Sequence, residues 1–245
     1  MSKNCLLTSL LSILYSQSFS QTLIEFNSGY GTFLMTEMER FQERIVDSEN
    51  LVPISITESF PAYYSYEFGI NRDYNRQNFG IRFNYSSSGG RLSYEDYSGS
   101  VRADQILKRY AVGINGTFYK KRLSESFQFW IRTTVYFHKT RLLLENELKL
   151  GNIVESESTK FNSMGFSAVP IFEFKYMLFS FCSLNAQIGF SYNFYGKDFS
   201  LADNGELFLV DRLGSLIKPD WSGVRVGGGV TFFLFRNRTE GYAPI

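Results

Sequence analysis

Residues 62–71 read AYYSYEFGIN. Ala62, Tyr64, Tyr66, Phe68 and Ile70 fall on one side of an extended chain, and Tyr63, Ser65, Glu67, Gly69 and Asn71 on the other. Side chains in a strand alternate between its two faces, so this stretch is a strand with one oily and one polar face. A soluble sheet buries the oily face. A membrane barrel turns it outward to lipid. One strand does not decide between them, but the same alternation recurs along the chain.

Eight segments carry it, at about 22–34, 62–71, 79–85, 110–118, 127–140, 164–176, 184–194 and 224–235. In the third, Phe79, Ile81, Phe83 and Tyr85 oppose Gly80, Arg82 and Asn84; in the seventh, Ile188, Phe190, Tyr192 and Phe194 oppose Gln187, Gly189, Ser191 and Asn193. Most have the length of a tilted bilayer-crossing strand, roughly 9–11 residues. Short connections follow the second, fourth and sixth segments. Longer stretches, roughly twenty residues or more, follow the first, third, fifth and seventh. Short turns alternating with long loops are the build of a bacterial outer-membrane barrel, and an even strand number puts both termini on the periplasmic side. The expected fold is all-β: an eight-stranded antiparallel up-and-down transmembrane barrel. One short helix belongs to its first outer loop, where Thr36 and Glu39 have capping-box spacing and Met38, Phe41 and Ile45 share a face.

Side-chain volume says which face meets water. An eight-stranded barrel has an interior just wide enough for side chains or one small ligand. The oily set is too bulky for it, whereas Gly, Ser, Asn and Thr fit. Apart from Lys139 near the end of the fifth segment, the oily parity within the segments also carries no Asp, Glu, Lys or Arg, and a cation there costs about 2–4 kcal/mol at mid-membrane. Tyr64, Tyr66, Phe68 and Ile70 are therefore expected to face lipid, and Glu67 the lumen.

With this architecture in hand, residues 22–235 resemble the small OmpA/OmpX-type outer-membrane barrels. The fragments GYGTF, SFPAYYSYEFG and SSSGGRLSYEDYSG are similar to barrel proteins of Bacteroidetes outer membranes, a likeness that brings no assigned activity. The last segment, VRVGGGVTFFLF, looks like the aromatic-ended signal read by the outer-membrane barrel assembly machinery, although the chain continues past Phe235 with RNRTEGYAPI. The resemblance implies outer-membrane lipid and that machinery as partners, and a monomer.

The first twenty residues stand apart. Lys3, an apolar run from Cys5 to Tyr15 and Ser18-Phe19-Ser20 follow the order of a secretory signal, and the run is too short to span a membrane as a helix. Residues 1–20 are expected to be removed, leaving a barrel domain 21–245. Of 25 basic and 24 acidic residues the leader takes one lysine and no acid, so 24 of each remain. That balance gives no reason to expect nucleic acid. Cys182 is then the only cysteine, so no internal disulfide is expected. Aromatic residues make up 18% of a chain whose mean hydropathy is slightly negative, a mixture natural where oily and polar positions alternate.

Charged residues on the polar parity are the candidates for function. Glu25, Glu67 and Glu173 are acidic, and Arg82, Arg132, Lys175 and Arg225 basic. In a cramped interior such charges must pair. Glu67, Arg82, Arg132 and Arg225 are expected to form one network in a closed barrel, whose polar face gains bulk from Tyr63, Trp130 and Tyr136. His138, the sole histidine, shares the lumen parity with Ser167 and Glu173 on the next strand. A nucleophile needs its base within hydrogen-bond reach, and lipid chemistry needs an outward site, so no catalytic residue is assigned.

The spacing of Glu95, Asp96 and Asp104 matches no hard-cation loop, and residues 86–105 read better as a hairpin continuing above the membrane. The triple glycine 227–229 has no helix after it, so it reads as close strand packing. Glycosylation-like triplets begin at Asn84, Asn115 and Asn237, two of them inside strands, and are discounted. Neither metal nor cofactor is expected. A closed structural or surface-binding barrel, with an unknown ligand for its outer loops, leads the functional classes. A small pore or transport accessory, a lipid-modifying barrel enzyme and an inside-out soluble carrier follow in that order.

Overall fold

The computed structural model describes residues 21–48, 53–74, 77–211 and 213–234. The expected leader 1–20, the chain from Phe235 onward and the triplet at Asn237 lie outside them. In chain order the elements are β1 (Gln21–Gly31), α1 (Thr36–Ser48), β2 (Ser55–Ser59), β3 (Tyr63–Tyr74), β4 (Gln77–Asp96), β5 (Gly99–Arg122), β6 (Phe127–Leu150), β7 (Ile153–Phe179), β8 (Cys182–Gly196), β9 (Ser200–Leu201) and β10 (Gly223–Leu234).

Eight of these strands close a ring in the order β1-β3-β4-β5-β6-β7-β8-β10, every pairing antiparallel, with β10 returning to β1. β2 pairs with the upper part of β4, and β9 with β7, outside the ring. Closure removes the free edges of an open sheet.

Period-two alternation is what makes these residues barrel staves. On β1, Glu25 and Asn27 are buried while Phe26 is 52% exposed; on β3, Tyr64 and Tyr66 are exposed and Ser65 is buried. The polar parity faces in and the oily parity faces out around the whole ring. Cross-strand rings knit the outer surface, including Phe26–Phe68 at 5.0 Å, Tyr85–Tyr110 at 5.4 Å and Phe127–Tyr176 at 4.8 Å between centroids. The glycine run of β10 lets it lie close to β1, since a Cβ at Gly229 would sit 2.0 Å from the Phe26 carbonyl oxygen.

Several boundaries differ from expectation. The segments 79–85, 110–118, 127–140 and 164–176 are cores of strands that continue much further outward. β4 runs on to Asp96, and β6 and β7 meet at Leu150 and Ile153. Two of the long outer connections are therefore tall hairpins, the first of them as read from residues 86–105. The alternation fades at Tyr85 because the residues above no longer need an apolar outer face, whereas backbone pairing goes on. The first hairpin turns at Tyr97-Ser98, where Asp96 Oδ1 accepts from the Ser98 backbone N–H (2.8 Å), the Ser98 hydroxyl (2.6 Å) and the Gly99 N–H (3.1 Å). The second turns at Gly151-Asn152, with Gly151 at φ 59°. Asp104 receives Arg91 at 2.6 Å and Arg102 at 2.5 Å.

Tyr63 does not add bulk to the lumen. It is 48% exposed and packs edge-on against Tyr64, because the strand is only beginning there. The capping box does not form either. Thr36 lies inside the helix and its hydroxyl donates to the Leu34 carbonyl (3.0 Å), while the Glu39 N–H goes to the Met35 carbonyl (2.9 Å).

Candidate functional site

The lumen is built in layers, and the central one is ionic. Register places Glu25 on β1 opposite Gly69 on β3, and Gly69 opposite Arg82 on β4. Without a side chain at Gly69, whose Cβ would meet the Arg82 guanidinium at 3.4 Å, that arginine lies across β3 and reaches Glu25. It also pairs with Glu67.

Arg132, from β6, ties three carboxylates together: Glu25 at 2.8 Å, Glu173 at 3.2 Å and Glu67 at 3.4 Å. It also donates to Gln187 Oε1 at 2.6 Å. Lys175 donates to Glu25 at 2.6 Å and to the Thr231 hydroxyl at 3.2 Å, and its ammonium stands 3.9 Å from the Trp130 ring centroid. Glu173 faces Arg132 and, at 3.6 Å, Lys175 as an ion pair without a hydrogen bond to either. Tyr136 donates to Glu67 at 2.5 Å. Six of the seven charges singled out in the sequence thus meet in one cluster. Near the turn end of the barrel, Lys120 and Asp73 add a pair at 2.6 Å.

Arg225 does not join the cluster. Its head lies higher, donating to the Ser191 hydroxyl at 3.4 Å and standing 5.9 Å from the Phe33 ring centroid. Parity put it in the lumen but could not give its height. Arg109, which the sequence reading passed over, is fully buried in the same upper layer. It donates to Asn84 Oδ1 (3.2 Å) and Ser167 Oγ (2.7 Å) and lies over Tyr136 and Trp221. It is one residue below the start assigned to the fourth segment, on its polar parity, so extending that strand by one residue would have found it. Among the described residues neither arginine pairs with a carboxylate. The upper lumen is therefore cationic, held by neutral hydrogen bonds and aromatic faces.

Between these layers, Ala111, Tyr136, Val169 and Ile171 form an apolar collar inside the barrel. A cavity of about 30 Å³ lies beside it, with Arg225, Glu67, Ser65 and Asn84 in its wall. Room for water-sized guests is all this offers.

The loop end is stoppered by a second core. Phe33, Met35, Met38, Phe60, Leu107, Leu142, Phe199, Leu209, Ile217 and Trp221 form one buried cluster. Positive φ at Met35 (24°) and Phe60 (37°) turns the chain sharply at two of these residues. Met38 is the inward point of α1, and Phe41 packs on the cluster beside it. The helix is tied down by Arg44 to Asp211, Glu37 to Lys218 (3.6 Å) and Gln42 to the Glu58 carbonyl (3.2 Å). Trp221 joins plug to barrel, its indole N–H donating to Thr140 Oγ1 at 2.9 Å.

His138, Ser167 and Glu173 do not converge. His138 Nε2 lies 3.0 Å from Asn193 Oδ1, Ser167 accepts from Arg109, and Glu173 belongs to the ionic layer. Among the described residues, no group of three His, Cys, Asp or Glu side chains is placed to hold a metal ion. Cys182 is a free, buried thiol.

The architecture is a closed, eight-stranded antiparallel barrel. No protein-family model matches the chain, and no curated protein matches its sequence. Among solved structures, it is similar to Neisserial surface protein A, with 8% identity, a TM-score of 0.39, and coverage of 86% of this chain and 96% of that one. It is also similar to Ail, the attachment invasion locus protein of Yersinia pestis, with 12% identity, a TM-score of 0.30, and coverage of 87% and 97%. The Ail complex with the heparin analogue sucrose octasulfate matches at 11% identity and a TM-score of 0.34, with the same coverage.

Proposed function

We propose that this chain is a bacterial outer-membrane barrel that is closed along its axis and acts as a structural or surface-binding protein through its outer loops. The observation that carries the reading is the double closure of the lumen: an interlocked ionic layer in the middle and an apolar plug at the loop end. Placement in a membrane is supported by the outward belt of Phe, Tyr, Ile and Val around every stave, a surface that water would not tolerate at this extent. The short turns, both termini and the barrel assembly machinery then belong to the periplasmic side. The tall hairpins and α1 face the medium.

Planar bilayers test it. The full-length protein, once inserted, is expected to stay electrically silent over the ordinary voltage range. Steady single-channel conductance from the unmodified protein would overturn the closed reading and make it a pore. The cationic upper lumen gives that alternative a signature, since current past Arg109 and Arg225 would favour anions.

A further inference from the structure

The outer wall changes character at one place. On β5, β6 and β7 the exposed apolar belt ends upward at Tyr110, Phe137 and Met164. Just above stand Lys108 on β5, Lys139 and Arg141 on β6, and Lys160 on β7, all on the outward parity. Register sets Lys108 directly across from Arg141, Lys139 across from Tyr110, and Lys160 across from Leu143. These four cations, with Tyr110, line a single open groove of about 340 Å³. Arg141 leans over the Tyr110 ring, 5.8 Å from its centroid.

Two features set this cluster apart from scattered surface lysines. Among the described residues, none of the four forms an ion pair. The carboxylates further up the same strands line a separate recess, where Arg102 already holds Asp104. The cluster is also one-sided: on neighbouring β4 the residues opposite Lys108 and Ile106 are Ser87 and Gly89. A lone lysine above an aromatic belt snorkels to any head group. Four unpaired cations on three adjacent strands, around a groove with Tyr110 at its lower wall, make a seat for a multiply charged head group with an acyl chain beside it.

We propose that this groove binds a phosphate-bearing lipid of the outer leaflet, its phosphate on Lys108, Lys139, Arg141 and Lys160 and an acyl chain along Tyr110. The inference rests on the membrane reading above. The test uses the full-length chain in nanodiscs of phosphatidylcholine with a minor fraction of phosphatidic acid, reading the retained lipids by native mass spectrometry. Phosphatidic acid should be enriched over its bulk share. Lys108→Gln with Arg141→Gln, and separately Lys139→Gln with Lys160→Gln, should lower that enrichment by about fivefold per cation removed. Lys149→Gln, which removes a lysine paired with Glu147 near the hairpin tip, should not change it.

Failure to insert into the discs would sink the membrane reading and this proposal with it. Insertion without enrichment, or equal loss in the Lys149 variant, would overturn this proposal alone. Displacement of the lipid by inorganic phosphate at low concentration would reassign the groove to a free anion.

Discussion

Replacing Glu25 by Gln is the sharpest probe of the ionic layer. The side chain keeps its shape, loses its charge, and turns an amide N–H₂ toward groups that are already donors. Arg82, Arg132 and Lys175 all contact Glu25, but they do not lose equally. Arg132 keeps Glu67 and Glu173 at 3.4 and 3.2 Å, and Arg82 keeps Glu67. Lys175 loses its 2.6 Å partner and is left with Glu173 at 3.6 Å, the Thr231 hydroxyl and the Trp130 ring. The cost is thus mostly that of one stranded, fully buried ammonium, about 3–5 kcal/mol. Set against a typical total of about 5–15 kcal/mol, this is a large fraction.

Reversible urea titration of the barrel in lipid vesicles measures it. A second variant guards against a generic folding defect. Adding Lys175→Met to Glu25→Gln removes the stranded charge, so the double variant should be more stable than Glu25→Gln alone by at least about 1 kcal/mol. A Glu25→Gln barrel within about 1 kcal/mol of the parent, or a double variant worse than the sum of the singles, would refute the reasoning.

Three further outcomes are expected. Phe190→Arg, on the outward belt, should cost about 2–4 kcal/mol near mid-membrane, whereas Ser65→Thr beside the small lumen cavity should be nearly neutral; equal tolerance in the same urea titration would mean the faces are assigned backwards. Met38→Ala should cost the plug about 2–5 kcal/mol, read as faster amide exchange in α1 with barrel exchange unchanged; no change in α1 would show that the apolar cluster does not hold it. At the first hairpin tip, hydrogen bonds from the Ser98 hydroxyl, the Tyr94 hydroxyl and the Ser98 N–H hold the Asp96 carboxyl down to about 2. A depressed folded value gives stabilisation that is complete above the ordinary aspartate range and is lost as pH falls through about 2. The protection of the Ser98 and Gly99 amides against exchange, relative to their intrinsic rates, should therefore be steady down to about pH 4 and fall only below it, while a fall already near neutral pH would contradict the turn geometry.

How far the sequence could be read follows from what alternation encodes. Parity is a local property: Tyr66 and Glu67 lie on opposite faces whatever the rest of the chain does, so strand number, facing and the inward charges were legible residue by residue. Height along the barrel is not local. It depends on the stagger of each stave against its neighbours, and two lumen arginines can share parity yet lie in different layers. Hence Arg225 was expected beside Glu67 and instead lies above it, against Ser191 and Phe33. Arg109 was lost for a related reason, because the strand was started at its first aromatic residue although pairing runs on to Gly99.

The plug was the least legible part. Its members come from four places far apart in sequence: 33–38, Phe60, the upper β5–β6 pair at Leu107 and Leu142, and 199–221. The loop stretches 33–35, Phe60 and 199–221 carry no sustained period, because each contributes only one to four buried residues to a core shared among loops. Sequence periodicity therefore finds the wall of such a barrel and misses its stopper. On the closed reading proposed above, the stopper and the ionic layer are what separate a closed surface protein from a pore, since the belt and the ring would be the same in both.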